Sequence, residues 1–283
     1  VGRTSGEFED RKTADFYLNE TEKSLIKAVT EAFHKAGKKA VVILNIGGVV
    51  ETASWKAQPD AILLAWQAGQ EGGNTVADVL SGKVNPSGRL PMTFPLALED
   101  VPSYPNVPRD YTPANPMETM MGGSSIDGDR PNIDFTRYEE DIYVGYRYYG
   151  THGKEVSYPF GYGLSYAAFE YANASVSENK GVYTVSVEVK NTGAAAGKEV
   201  VQLYVSAPAG ELPKPVQELK AFAKTKALNP GEAQTVTLTF TGRDLASFSE
   251  AKNDWVTDAG TYQLLIGASS QDVRQQLDMN ISN

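Results

Sequence analysis

From residue 183 onward apolar residues fall on every second position. Tyr183, Val185, Val187 and Val189 are separated by Thr184, Ser186 and Glu188, and Val201, Leu203 and Val205 repeat the period after the turn Asn191-Thr192-Gly193. The pattern returns in Val236, Leu238 and Phe240 after Asn229-Pro230-Gly231, and in Tyr262, Leu264 and Ile266 after Ala259-Gly260. Successive side chains of a strand point to opposite faces, so this period predicts strands with one buried and one solvated face. Short strands of this kind, divided by turn residues, bury their apolar faces against a second sheet. Residues 167–283 are therefore expected to form an all-β sandwich of the immunoglobulin or fibronectin III type.

The first part of the chain follows another rule. Asn19 and Glu22 have the spacing of a capping box, Leu25, Ile26, Val29 and Phe33 recur at helical spacing, and Gly37 is placed to close the helix. Ala40–Leu44 and Ala61–Trp66 are apolar on successive residues, the pattern of parallel strands covered on both faces. A glycine-rich turn, Gly69–Gly73, leads into a helix with Val76, Val79 and Leu80 inward and Gly82 as its stop. Helix and strand signals in alternation predict an α/β layer structure, part of a doubly wound sandwich. From Pro95 to Arg137 the periodicity is lost, and residues 112–135 read as a long loop or insertion. Tyr138–Tyr149 and Tyr158–Tyr166 are rich in tyrosine and glycine without helical spacing, and are expected to seal one domain against another. The expected division is an α/β part over residues 1–134, a join over 135–166 and the sandwich over 167–283.

Two domains also suit a length of 283 residues. No apolar run approaches the ~20 residues of a membrane span, and a net charge of -9 without a basic cluster argues against a nucleic-acid partner. The absence of cysteine excludes disulfides, zinc–thiolate sites, iron–sulfur clusters and thiol nucleophiles. Two histidines, His34 and His152, poorly supply a multi-histidine metal site or a Ser-His-Asp triad. No metal and no cofactor are expected. The chain opens Val1-Gly2-Arg3-Thr4-Ser5-Gly6, without an initiator Met or a signal-peptide pattern, and reads as a piece cut from a longer polypeptide.

Four stretches are more specific. Pro59–Pro95 holds Asp60-Ala61-Ile62-Leu63-Leu64-Ala65-Trp66-Gln67-Ala68-Gly69-Gln70-Glu71-Gly72-Gly73 and then Val84-Asn85-Pro86-Ser87-Gly88-Arg89-Leu90-Pro91-Met92-Thr93-Phe94-Pro95. The others are Ser5-Gly6-Glu7-Phe8-Glu9-Asp10-Arg11, Tyr143–Tyr149 and Tyr158–Tyr166. Pro59–Pro95 resembles the C-terminal α/β domain of family 3 glycoside hydrolases, the β-glucosidase group. Ser5–Arg11 is similar to the loop that delivers that family's acid/base glutamate, and the tyrosine stretches to the join with its fibronectin-III-like domain. The matches lie in the family's order and span nearly the whole chain apart from 112–135.

This resemblance implies a retaining glycosidase acting on β-glucosides or oligosaccharides, with its aspartate nucleophile on a separate (β/α)8-type barrel that this chain lacks. Retention needs two carboxyl groups about 5–5.5 Å apart, one attacking the anomeric carbon and one protonating the leaving oxygen. On the family pattern Glu7, three residues before the Asp10-Arg11 pair, is the acid/base, and Glu9 is the alternative. It follows what would be the end of a strand over Val1–Thr4, the edge where α/β sheets place ligand loops. Asp10 and Arg11 are expected to brace the loop as an ion pair. A β-xylosidase or arabinofuranosidase of the same family is the nearest alternative. A non-catalytic carbohydrate-binding or scaffolding module is the rival from another class. Gly69–Gly73 lacks the Lys-Ser/Thr of a phosphate loop. Trp55 and Trp66 could stack on a sugar, although Trp66 ends a buried strand and is read as core. Asn19, Asn173 and Asn280 open N-glycosylation triplets.

Overall fold

Asn19 caps the first long helix as its spacing implies. Its side chain accepts from Glu22 N at 2.9 Å, and the Glu22 carboxylate accepts from Asn19 N at 3.0 Å. The computed structural model describes residues 1–3, 11–106 and 137–282. These fall into two units, Val1–Gly72 with Phe94–Asp141, and Gly73–Thr93 with Ile142–Asn283.

In the first unit a short helix α1 (Thr13–Phe16) precedes α2 (Glu20–Lys35), which ends at Gly37 with φ 67°. Strands β1 (Val41–Leu44) and β2 (Ala61–Leu64) pair in parallel, from Val41↔Ala61 to Leu44↔Leu64. Gly2 makes a parallel bridge to Asn45, so the segment Val1–Arg3 extends the sheet from the other edge of β1. Leu18, Ile26, Leu44, Ile46, Val50 and Trp55 form the core. The parallel pairing agrees with the continuous apolar runs, but coverage is one-sided. Along α2 only Ile26 of the four apolar positions is buried; Leu25, Val29 and Phe33 remain exposed, as does Val41 at the start of β1. The short strand β3 (Phe94–Pro95) is buried, with the Phe94 ring 6.3 Å from that of Trp66.

The second unit opens within α3 (Gly72–Leu80), whose Leu80 is exposed rather than inward. Within Tyr138–Tyr149 a short helix α4 (Tyr146–Thr151) begins, which the density of tyrosine concealed, followed by β4 (Val156–Tyr158). The sandwich comprises β5 (Phe169–Asn179), β6 (Val182–Asn191), β7 (Val200–Ser206), β8 (Glu218–Lys224), β9 (Ala233–Thr241), β10 (Ser247–Ser249), β11 (Asp254–Val256), β12 (Gly260–Ser269) and β13 (Asp272–Ile281). A three-stranded sheet, β5-β6-β9, faces a four-stranded one, β13-β12-β7-β8, and β10-β11 is a separate hairpin. The inward positions of the period-two pattern meet in one core: Val185, Val187, Val189, Val201, Leu203, Val205, Val236, Leu238, Phe240, Tyr262, Leu264 and Ile266 are all buried.

Strand β7 departs from alternation because it is buried on both faces. Gln202 Nε2 donates to the carbonyls of Gly161 and Ala268 at 3.1 and 2.6 Å, and its Oε1 accepts from Tyr204 Oη at 2.6 Å. The Tyr204 ring lies edge-on to Tyr146, which stacks on Phe160 with centroids 4.8 Å apart. The aromatic join thus covers the outer face of β7. Two of the specific sequence stretches also meet here. Leu90 N donates to Tyr162 O, Gly161 N donates to Leu90 O, and Asn85 Oδ1 accepts from Ser165 Oγ and Tyr166 N. Arg89 reaches further, to a 2.7 Å ion pair with Glu199 at the start of the sandwich.

Candidate active site

Glu7, Glu9 and Asp10 lie outside the described residues; the chain on either side of them is described. On the upstream side, Arg3 N donates to Asn45 O at 3.1 Å, the last sheet bond before the segment. The Arg3 side chain then turns back and uses every donor. Nη1 and Nη2 bind the two Glu22 oxygens at 2.6 and 2.7 Å, Nε binds Asp15 O at 3.0 Å, and further bonds reach Gly2 O and Tyr17 O. A bidentate guanidinium–carboxylate pair fixes orientation as well as distance. The Glu22 carboxylate that closes the capping box is therefore also the anchor of Arg3.

On the downstream side, Arg11 Nη2 donates to Asp15 O and to Val49 O, each at 3.0 Å. Its guanidinium lies against Gly48, where a Cβ would collide with it. The two arginines that flank residues 4–10 thus share one acceptor, the carbonyl of Asp15. Their environments differ. The hydrogen bond to Glu22 raises the pKa of Arg3, whereas burial lowers that of Arg11. The same Arg3 bond holds Glu22 below the usual carboxylate range.

A pH dependence follows from the direction of that shift. A carboxylate with a depressed folded pKa stabilises the fold above its unfolded value, about 4.3, and loses that contribution as pH falls through the folded value. Glu22→Gln keeps a capping side chain but removes the charge. Its thermal midpoint should lie below that of the unsubstituted chain at neutral pH, and the gap should close on acidification below about pH 4. A gap that stays constant in a thermal titration across that range contradicts this role for Glu22.

Among the other sequence candidates, Trp55 is enclosed, 2% exposed, with its indole N–H given to Glu51 O at 2.7 Å. No face is left for a sugar. Trp66 is half-buried at the C-terminal end of β2 with φ 50°, a left-handed conformation unusual for an aromatic residue. Asp60 stands at the other end of that strand. Lys39 Nζ at 2.7 Å, Ala40 N at 2.8 Å and His34 Nε2 at 2.9 Å hold its carboxyl well below the usual range. His34 therefore helps anchor β2. His152 caps α4 between the rings of Tyr143 and Tyr148. Arg3 and Glu22 fix the chain just upstream of residues 4–10, and neither stood out in the sequence; the capping box signalled Glu22 only as a helix start.

Comparisons with known proteins bear on the whole chain. A model of the glycosyl hydrolase family 3 C-terminal domain matches residues 1–166, and one of the fibronectin type III-like domain matches residues 199–270. Beta-glucosidase A of Butyrivibrio fibrisolvens is 40% identical over 284 residues, covering 92% of this chain and 31% of that protein. Beta-glucosidase B of Emericella nidulans is 37% identical over 281 residues, covering 97% of this chain and 31% of that protein. Beta-glucosidase 3B from Thermotoga neapolitana, solved in complex with alpha-D-glucose, superposes with a TM-score of 0.87 at 48% identity, covering 100% of this chain and 37% of that one. The chain therefore spans about a third of the length of these relatives.

Proposed function

Since the chain belongs to family 3 of the glycosyl hydrolases, we propose that it is part of a retaining β-glucosidase and carries that enzyme's acid/base glutamate, Glu7. The nucleophilic aspartate then belongs to a (β/α)8-type barrel outside this sequence. In the first step the nucleophile attacks the anomeric carbon of a terminal β-D-glucosyl residue, while Glu7 gives its proton to the departing glycosidic oxygen. In the second step Glu7 takes a proton from water, which attacks the same carbon and releases glucose with its configuration retained. The α/β part over 1–134 presents the acid/base, the join over 135–166 ties it to the module over 167–283, and Asp10 and Arg11 brace the loop.

The observation that carries this reading is a match to β-glucosidases along almost the entire chain, over only a third of their length. The frame around residues 4–10 supports it. A general acid has to be held at a fixed distance from the bond it protonates, and Arg3 and Arg11 tie both flanks of the segment to the Asp15 carbonyl.

The test is an assay of this chain alone, and of the whole protein that contains it, on an aryl β-glucoside. The chain alone should give no turnover above background and the whole protein should be active. Robust hydrolysis by the chain alone sinks the split site.

A further inference from the structure

Each sheet of the sandwich ends in two edge strands, and one of the four is unlike the rest. The three-stranded sheet ends in β5 and β9, the four-stranded sheet in β13 and β8. Unpaired N–H and C=O groups along an edge are a template on which another chain can pair, and charges on the edge strand are a common safeguard. Strand β5 carries Glu170 and Glu178, β13 carries Asp272, Arg274 and Asp278, and β8 carries Glu218, Lys220 and Lys224. Strand β9 carries none. Its nine residues, Ala233–Thr241, include no charged residue, no proline and no glycine, and threonine falls on every second position from Thr235 to Thr241. High β-propensity, low charge and no proline mark a segment that stacks into cross-β assemblies when its edge is free.

The two sides of the sandwich are closed differently. Between β13 and β5, Arg274 Nη1 donates to Phe169 O at 3.0 Å and Gln275 Nε2 donates to Tyr171 O at 2.9 Å, so side chains of one edge reach the backbone of the other. Between β8 and β9 a groove of about 410 Å³ is left, and Lys220, Phe222, Thr237, Leu238 and Thr239 line it. Among the described residues no strand pairs with the outer side of β9.

A bulge places a charge in that groove. Leu203 pairs with Ala221 and Tyr204 with Leu219, which leaves Lys220 as an extra residue of β8. Its side chain is only 15% exposed, and its ammonium donates to Glu218 Oε2 at 3.0 Å. A strand that adds to β9 has to fill the groove and take this ammonium out of water. Burying an ammonium is costly even beside a carboxylate. We propose that Lys220 guards the β9 edge: through its bulge, β8 supplies the charge that β9 lacks and keeps a second copy of this chain from pairing with Ala233–Thr241. This role concerns the sandwich alone and does not rest on the glucosidase reading.

Sedimentation velocity and thioflavin T fluorescence test this on the chain and its variants, at a temperature where circular dichroism shows each of them folded. Lys220→Thr puts a neutral strand former in the groove. It should assemble at about a tenth of the concentration the unsubstituted chain needs, or less, the factor that ~1.4 kcal/mol produces. Lys220→Gln serves if that variant does not fold. Adding Thr237→Lys puts a charge on β9 itself and should return the double variant to the behaviour of the unsubstituted chain. Lys220→Glu separates guarding from stabilising. It loses the pair with Glu218 and sets two carboxylates side by side, so its thermal midpoint should fall, yet it keeps a charge in the groove and should not assemble. The proposal is overturned if the unsubstituted chain assembles as readily as Lys220→Thr, or if Lys220→Glu assembles to the same extent. Assembly that persists undiminished when Thr237→Lys is added overturns it as well.

Discussion

Glu7→Ala in the whole protein should lower kcat/KM for alkyl glucosides and disaccharides by about 10²–10⁴-fold, the usual worth of general acid–base catalysis. Those leaving groups are poor and cannot depart as anions. A dinitrophenyl glucoside departs without help from a proton, so its attack by the nucleophile should survive the substitution. The second step still needs a base, and the glycosyl-enzyme should accumulate. The expected signature is an early burst of phenolate followed by slow turnover, with the defect growing as the leaving group becomes more basic. A merely structural role for Glu7 lowers activity on both substrate classes alike. Glu9→Ala is the matched control, and the leaving-group dependence should be missing from it.

Arg89→Met should damage the fold strongly, because it breaks the most buried of the ion pairs among the described residues. Its guanidinium and the Glu199 carboxylate form a 2.7 Å pair, with side chains only 9% and 3% exposed. Glu199 Oε1 also accepts from Val200 N at 3.0 Å, which fixes the carboxylate where it is. Removing the arginine leaves that charge buried against one backbone donor with only the more distant Arg274 cation to offset it, a situation that costs up to about 3–5 kcal/mol. Chemical denaturation should show a loss of that size. Arg89→Met combined with Glu199→Gln should recover much of it, since the stranded charge is gone and the double-mutant cycle exposes the coupling. A loss below about 1 kcal/mol for Arg89→Met would place the pair among the weak surface ion pairs.

The sandwich was legible because its signal is local. Alternation along β6, β9 and β12 named the inward residues, and the glycine turns between them divided the strands. Strand β7 escaped that logic, since Gln202 and Tyr204 are buried by a join well upstream in the chain, at Gly161 and Tyr146, that no local period reports. The α/β part was legible in type and less so in packing. Its strands pair in parallel, but Leu25, Val29 and Phe33 share a helical stripe and stay exposed, because periodicity identifies a stripe without saying what lies opposite. Ion pairs were hidden for the same reason: Arg3 and Glu22 are 19 residues apart, and Arg89 and Glu199 are 110 apart. Glu7 could be singled out only through its place in a family motif. Composition and spacing leave it one acidic residue among several.

Whether Glu7 supplies the proton and later the base of a retaining reaction is decided by a nucleophile that needs neither. Azide is such a nucleophile. It needs no general base and fits the space that a carboxylate vacates, so it should release the glycosyl-enzyme that Glu7→Ala accumulates. Attack on the face opposite the enzyme's nucleophile makes the product β-glucosyl azide, whose anomeric configuration is read by proton NMR. Azide should restore turnover of the dinitrophenyl glucoside in Glu7→Ala, and the product should be the β-azide. Absence of the azide product, its α-configuration, or rescue of Glu9→Ala in place of Glu7→Ala would contradict this role for Glu7.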